Sequence, residues 1–318
     1  MIAAIERLMA ADTAGDPITG LKWTRRTTEK IARELKKAGI NVCKNTVGRF
    51  LRELHYSLRV NHKKISRACP SKDRDRQFRY IQAMRQSFEK RGLPIVSVDA
   101  KKKELVGRFK NPGSAWTKNP VLVNDHDFRS DARGLAVPYG IYDVRANRGH
   151  VVVGLSYDTS AFAVAALVGW WRHCGRSTYP GRDHLLVLAD TGGSNGSRRR
   201  TWKHGLQQYC NRFGCSVTVC HYPPGSSKWN LIEHRLFSQI SRNWAGQPLE
   251  TLEIMLNYIR TTTTATGLRV SAALTRRAYP KGVKVSDEEM AKLNLRPHSV
   301  LPKWNYTLRH QRTEKTRT

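Results

Sequence analysis

Three acids in this 318-residue chain stand where chemistry could be done. Ile95-Val96-Ser97-Val98-Asp99 and Leu185-Leu186-Val187-Leu188-Ala189-Asp190 read as buried strands that each end in a carboxylate. Glu233 lies early in a predicted helix, just after the loop Pro223-Pro224-Gly225-Ser226-Ser227. In α/β sheets, reactive groups gather at the carboxyl ends of strands. Three carboxylates meeting there repel one another and call for a compensating cation. Hard oxygen donors suit Mg²⁺, with Mn²⁺ as a substitute, and two such ions can serve phosphoryl transfer by activating an attacking oxygen and stabilising a leaving one. An Asp at a strand end is also a common turn former or helix cap. Asp125, Asp127, Asp131, Asp143, Asp158 and Asp183 are rivals for any place in such a set.

The surroundings of the acids favour phosphate. Asp190 is followed by Thr191-Gly192-Gly193-Ser194-Asn195-Gly196, read as a flexible loop whose amides can approach an anion, and then by Arg198, Arg199 and Arg200 at a helix start. Lys101, Lys102, Lys103 and Lys228 also flank the acids. These cations suit backbone clamping on a nucleic acid, or simply a solvated charged face. Trp229 offers a stacking surface or a packed core side chain, and His234 and Arg235 can orient a substrate or solvate the helix. Cys210, Cys215, Cys220 and His221 lack the tight spacing of zinc modules, and Cys220 and His221 point to opposite sides of a strand.

The elements that must position these residues follow from periodicity. Thr28 to Ala38 predicts a helix with Ile31 and Leu35 on one face and Gly39 as its stop; Lys44 to Leu54 predicts a second, with Val47, Leu51 and Leu54 inward. Two short helices around a tight turn form a helix-turn-helix pattern, whose second helix would present Lys44, Asn45, Arg49 and Arg52 to DNA. Spacing alone also allows a plain helical hairpin. Residues 73–91 predict an amphipathic helix, and from Ile95 strands and helices alternate. Tyr139 to Val144 and His150 to Ser156 predict a hairpin around Ala146 to Gly149; Thr159 to Cys174, Ser197 to Phe213, Trp229 onward and 249–262 predict helices; Ser216 to Tyr222 predicts a strand. The pattern is α/β with a mixed sheet.

Charge narrows the class. Lys plus Arg number 56 against 25 Asp plus Glu, a formal net charge of +31, which points to a polyanionic partner. Residues 22–67 carry 14 Lys/Arg against three Glu. No stretch is long and apolar enough for a membrane span, no signal peptide opens the chain, and six scattered cysteines suit a reducing cytoplasm.

Longer motifs carry a resemblance. Ser97 to Gly107, Pro138-Tyr139-Gly140-Ile141-Tyr142-Asp143, Ala189 to Ser197, Cys220 to Phe237, Tyr279 to Val285 and Trp304-Asn305-Tyr306-Thr307 together resemble the Rhodopirellula-type DDE transposases of bacterial insertion sequences. The resemblance runs from about Asp16 to about Leu308. It implies a ribonuclease-H-like mixed sheet flanked by helices, preceded by a small all-α helix-turn-helix domain. It implies Asp99, Asp190 and Glu233 as catalytic triad and metal ligands, with Asn195, Asn230 and His234 in support. The loop before Glu233 is similar to that of mariner-like transposases, where an Asn close before the last acid is usual, as Asn230 is here. The implied activity is Mg²⁺-dependent cleavage and strand transfer on double-stranded DNA, by a homodimer or higher assembly at transposon ends and target, in the bacterial cytoplasm at the nucleoid.

Two positions depart from the family pattern. Thr191 stands where Gly is usual, which would strain a backbone needing positive φ, and the N-terminal module looks short. The expected division is 1–67 helix-turn-helix module, 68–94 helical linker, 95–262 catalytic domain and 263–318 an extension whose residues 303–318 form a mobile basic tail. A DNA-binding regulator, a nuclease without strand transfer and an inactive copy are the alternatives.

Overall fold

The chain separates at Ser66/Arg67 into two units, each with its own core. The computed structural model describes residues 2–15, 22–24, 27–54, 56, 71–115, 117–226 and 229–311. Among the described residues no helix is long and apolar enough to cross a membrane.

In the first unit, α1 (Ile2–Asp12) is followed by a short antiparallel ribbon of β1 (Thr13–Gly15) and β2 (Lys22–Thr24), then α2 (Thr28–Lys37) and α3 (Lys44–Glu53). The module is therefore not all-α; Thr13, Trp23 and Thr24 are residue types that favour extended backbone. Thr27 caps α2 by accepting a hydrogen bond from Lys30 N, and Gly39 takes the left-handed conformation (φ 80°) that ends it. Ile31 and Leu35 of α2, Val47 of α3 and Ile5 of α1 form the buried core. Lys44, Asn45, Arg49 and Arg52 are all exposed on α3, with Arg49 paired to Glu53 at 4.0 Å.

The second unit is built on a nine-stranded sheet. It begins with α4 (Ser71–Lys90), β3 (Ile95–Ala100), β4 (Glu104–Val106), β5 (Gly134–Asp143) and β6 (Arg148–Gly154). Next, α5 (Ser160–Trp170) runs through a π-helical turn into α6 (Arg176–Thr178), followed by β7 (His184–Ala189), α7 (Arg200–Phe213) and β8 (Ser216–His221). A second π-helical turn, Glu233–Phe237, leads into α8 (Ser238–Asn243) and α9 (Leu252–Arg260). The chain closes with β9 (Arg269–Thr275), α10 (Asp287–Ala291), β10 (Leu295–Pro297) and β11 (Asn305–Arg309).

The strand order is β10-β11-β8-β7-β3-β5-β6-β9, with β4 pairing β5. β3, β5 and β6 form an antiparallel meander, while β7 and β8 run parallel to β3. Side chains alternate across this sheet as extended backbone requires. Val96, Val98, Val187 and Val217 face α5 and α7, with Trp170, Trp202 and Leu206 completing that layer. Ile95, Leu186 and Leu188 face Ile81 and Phe88 of α4. Val151 and Val153 face Leu236, Phe237 and Met255 on the same side of the sheet as α4. Each fully buried Leu or Val contributes roughly 1.5–3 kcal/mol, so two covered faces fix which side each strand residue takes.

Three expectations change. The segment read as a linker packs α4 onto the sheet, because Gln77, Ile81 and Phe88 recur on one face and are buried. Residues beyond 262 supply strands to both edges, and Tyr306 and Leu308 of the expected mobile tail are buried in β11. The β5–β6 turn lies at Val144–Asn147, earlier than expected, because Asp143 accepts hydrogen bonds from Arg145 N and Ala146 N and Asn147 adopts φ 50°.

Candidate active site

β3 and β7 are parallel neighbours whose register pairs Val98 with Ala189, so Asp99 and Asp190 leave the sheet side by side at its carboxyl edge. The loop after β8 returns to this edge and delivers Asn230. Its amide nitrogen donates to Asp99 Oδ2 at 3.3 Å and to Asp190 Oδ1 at 3.2 Å. Its amide oxygen accepts from Ser97 Oγ at 2.5 Å, and Ser97 Oγ in turn accepts from Ile232 N at 3.3 Å. Ser97 and Asn230 are fully buried, so this network ties the incoming loop to the middle of β3.

Glu233 follows three residues after Asn230, as the first residue of the π-helical turn. A π turn holds one residue more than an α turn and redirects the side chains it carries. It is locked from below by Phe237 and Leu236, which fit over glycines in the meander. A Cβ at Gly140 would meet Phe237 at 2.6 Å, and one at Gly149 would meet Leu236 at 2.5 Å.

Charge accumulates at this edge. Burial, then the charges of Asp190, Glu233 and Asp158, push the Asp99 carboxyl up to about 8, against the opposing hydrogen bond from Ala100 N. Asp190 is raised by burial and partly relieved by the Asn230 amide. Glu233 is raised by burial and by Asp190, and lowered by Lys101 and His234. Ionising both Asp99 and Asp190 is therefore costly without further positive charge.

The donors suit a divalent cation: two carboxylate oxygens converge on one electropositive point, supplied by the Asn230 amide. Among the described residues, no three His, Cys, Asp or Glu side chains are close enough to hold a metal ion as they stand. The amide spaces the two aspartates, and Asp99 Oδ1 turns back to Ala100 N at 2.8 Å.

Other expected site residues fall into distinct places. Lys101 is turned inward, pairing with Glu104 at 2.6 Å and lying 4.6 Å from the Trp244 ring centroid, so it acts on the acids by charge rather than as an exposed clamp. Lys102, Lys103 and Arg198 are exposed. Arg199 donates to Gly193 O, and Arg200 pairs with Asp287 at 2.6 Å, tying the start of α7 to the start of α10. Lys228 lies outside the described residues. His234 is exposed at the rim beside Glu233, and Trp229 is no core residue: it is 53 % exposed, with its ring edge-on to Phe78.

The loop after Asp190 is packed rather than open. Ser194, Asn195 and Ser197 are buried, and a Cβ at Gly196 would meet Thr191 O at 2.8 Å. Asn195 Nδ2 donates to Val98 O at 3.3 Å, beside Asp99, while its Oδ1 has no partner. Thr191 is not among the residues with positive φ, so it carries none of the expected strain.

One contributor, His221, was not linked to the acids from sequence. Burial pushes the His221 imidazole down to about 4, so the ring is neutral. Its Nδ1 lies 2.8 Å from the Asp190 carbonyl and must donate there, leaving Nε2 to accept from Tyr306 Oη at 3.2 Å. Strand β11 thus reaches Asp190 through one histidine. The Cys220-His221 pair was visible in sequence, but with zinc in mind rather than this bond.

The family model described as the Rhodopirellula transposase DDE domain matches residues 4–310. Similar solved structures include a Mos1 transposase paired-end complex with left transposon end, at 14% identity over 81% of this chain and 69% of that chain, with TM-score 0.44. A pre-cleavage Mos1 transpososome gives 14%, 81%, 70% and 0.45 on the same measures. A Mos1 mariner paired end complex with Mn gives 15%, 81%, 70% and 0.42. No curated protein matches the chain.

Proposed function

For a chain that belongs to the Rhodopirellula transposase DDE domain family, we propose catalysis of DNA cleavage and strand transfer at insertion-sequence ends, with Asp99, Asp190 and Glu233 as the acidic triad. The observation that carries this reading is the single Asn230 amide bridging Asp99 and Asp190, three residues before Glu233. The strand order β6-β5-β3-β7-β8, with a meander followed by two parallel strands, supports a ribonuclease-H-like core.

Mg²⁺, or Mn²⁺ in its place, would be held by Asp99, Asp190 and Glu233 and would supply Lewis-acid polarisation and charge neutralisation at the scissile phosphate. The protein's own part is positioning. β3 and β7 hold two acids in fixed register, Ser97 and Asn230 orient their oxygens, and His221 fixes the backbone at Asp190. Lys101 partly offsets the burial and the Asp190 charge that raise the Glu233 carboxyl. Asp99, held near a pKa of 8 by burial and the neighbouring acids, is the carboxyl most in need of added positive charge. Lys102, Lys103, Arg198, Arg199 and Lys228 are assigned to the DNA backbone, and Lys44, Asn45, Arg49 and Arg52 on α3 to recognition of the element ends. Two ends acting together would require at least a dimer.

The test is a supercoiled plasmid carrying the element's terminal repeats, assayed for nicked, double-cut and joined products with and without Mg²⁺. Asp99→Asn, Asp190→Asn and Glu233→Gln should abolish all products while end binding persists. Full cleavage by any one of them removes that residue from the triad. Cleavage with no joined product would reduce the reading to a nuclease.

A further inference from the structure

The same two strands that carry Asp99 and Asp190 at one end carry a cluster of arginines at the other. Gly92 lies just before β3, Arg182 just before β7, and Arg145 in the β5–β6 turn beside them. Together with Tyr179 they line an open cavity of about 370 Å³.

The two guanidinium groups converge. A Cβ placed on Gly92 would meet Arg182 Nη2 at 3.3 Å and Arg145 Nη1 at 3.8 Å. The two nitrogens are therefore no more than about 7 Å apart, within the range where like charges repel appreciably. Both arginines are exposed, and among the described residues neither forms an ion pair with a carboxylate.

The arrangement is held from beneath. Asp143 is 2 % exposed and accepts from Arg145 N at 3.2 Å and from Tyr179 Oη at 2.7 Å. The Arg145 guanidinium lies 5.9 Å from the Tyr179 ring centroid. One buried carboxylate thus fixes both the turn that carries Arg145 and the ring beside it. Gly92, at φ 67°, contributes the absence of a side chain where the two guanidiniums approach.

We propose that this cavity binds a backbone phosphate of duplex DNA, in a segment separate from the one at the carboxylates. Two convergent, unpaired guanidiniums match the fork geometry of a phosphate. The site is open at its rim, as a phosphate on a polymer requires. It lies one strand length, about 20 Å, from the acids, so a duplex seated here extends beyond the reacting bond. This rests on the reading of the protein as DNA-binding, though not on its catalysis.

The experiment is equilibrium binding of the full chain to a duplex lacking element ends, without divalent cation, across a salt series. Removing this one phosphate contact should make the slope of log K against log salt shallower by about one. Arg145→Ala/Arg182→Ala should do this and weaken binding several-fold at low salt, while Arg145→Lys/Arg182→Lys retains most of the slope. Gly92→Leu, which fills the cavity and leaves both charges, should weaken binding as well. An unchanged slope in the double alanine variant overturns the proposal. If inorganic phosphate then raises the melting temperature of wild type alone, the cavity takes a small phosphate ester instead. A wild type with no salt-dependent binding overturns both this proposal and the DNA-binding reading, whereas wild-type binding with an unchanged variant overturns this one alone.

Discussion

Raising pH in the absence of divalent cation should destabilise the second unit, and Asp99→Asn should remove most of that loss. Asp99 titrates near 3.8 in an unfolded chain and at about 8 in the fold. Between those values the folded state binds more protons, so stability falls as pH rises; the penalty is absent below about 4 and complete above about 8. The displacement corresponds to about 6 kcal/mol as a ceiling, lowered wherever water reaches the charged site. Denaturant midpoints from pH 5 to 9 in chelator measure it. The wild-type midpoint should drop across this range while that of Asp99→Asn stays nearly level, so the two curves cross. Mg²⁺ at pH 9 should restore wild type and leave the variant unmoved. Parallel curves would refute the claim that buried negative charge at Asp99 is the liability of this site.

Asn230→Ala removes two hydrogen bonds to carboxylates and leaves the buried Ser97 hydroxyl without its acceptor; a loss of about 2–4 kcal/mol by denaturant titration is expected, together with loss of cleavage. Gly140→Ala drives a methyl group against Phe237 and should cost about 1–3 kcal/mol, and its cleavage rate should fall through displacement of Glu233 even where folding is complete. Arg49→Ala/Arg52→Ala on the exposed face of α3 should weaken binding to element ends with a shallower salt dependence while the melting temperature is preserved. His221→Phe should lower cleavage more than stability, since it deletes the bond to the Asp190 carbonyl but keeps an aromatic ring in the core.

The aspartates at neighbouring strand ends were legible because β3 and β7 are short apolar runs, and such runs announce both a buried strand and its end. The two helices of the first unit were legible for a similar reason: Ile31 and Leu35 recur at helical spacing and Gly39 marks the stop. Relations without local periodicity were not legible. Ser97 meets Asn230, and His221 meets Tyr306, across long stretches of chain that no pattern links. β9 joins the sheet parallel to β6 with most of its residues only half-buried, so its sequence lacks the apolar run that marks a central strand. The π turn at Glu233 was invisible because α and π turns draw on the same residue types. Glycine count misled at Thr191–Ser197, where Gly196 serves a close approach rather than freedom.

β11 is the last strand in sequence order among the described residues, and it has consequences for when a newly made molecule completes its acidic edge. Toward the Trp304–Tyr306 segment, His221 donates its backbone N–H to Trp304 O and accepts from Tyr306 Oη; on the other side it donates to the Asp190 carbonyl. Until the ribosome has passed that segment, β8 has an open edge and the histidine lacks its phenol partner. A product terminated before β11 therefore emerges with the Asp190 backbone lacking this support. A chain halted after Pro302 should be inert on end-bearing plasmid, and supplying residues 303–318 as a separate peptide should restore cutting in proportion to peptide bound.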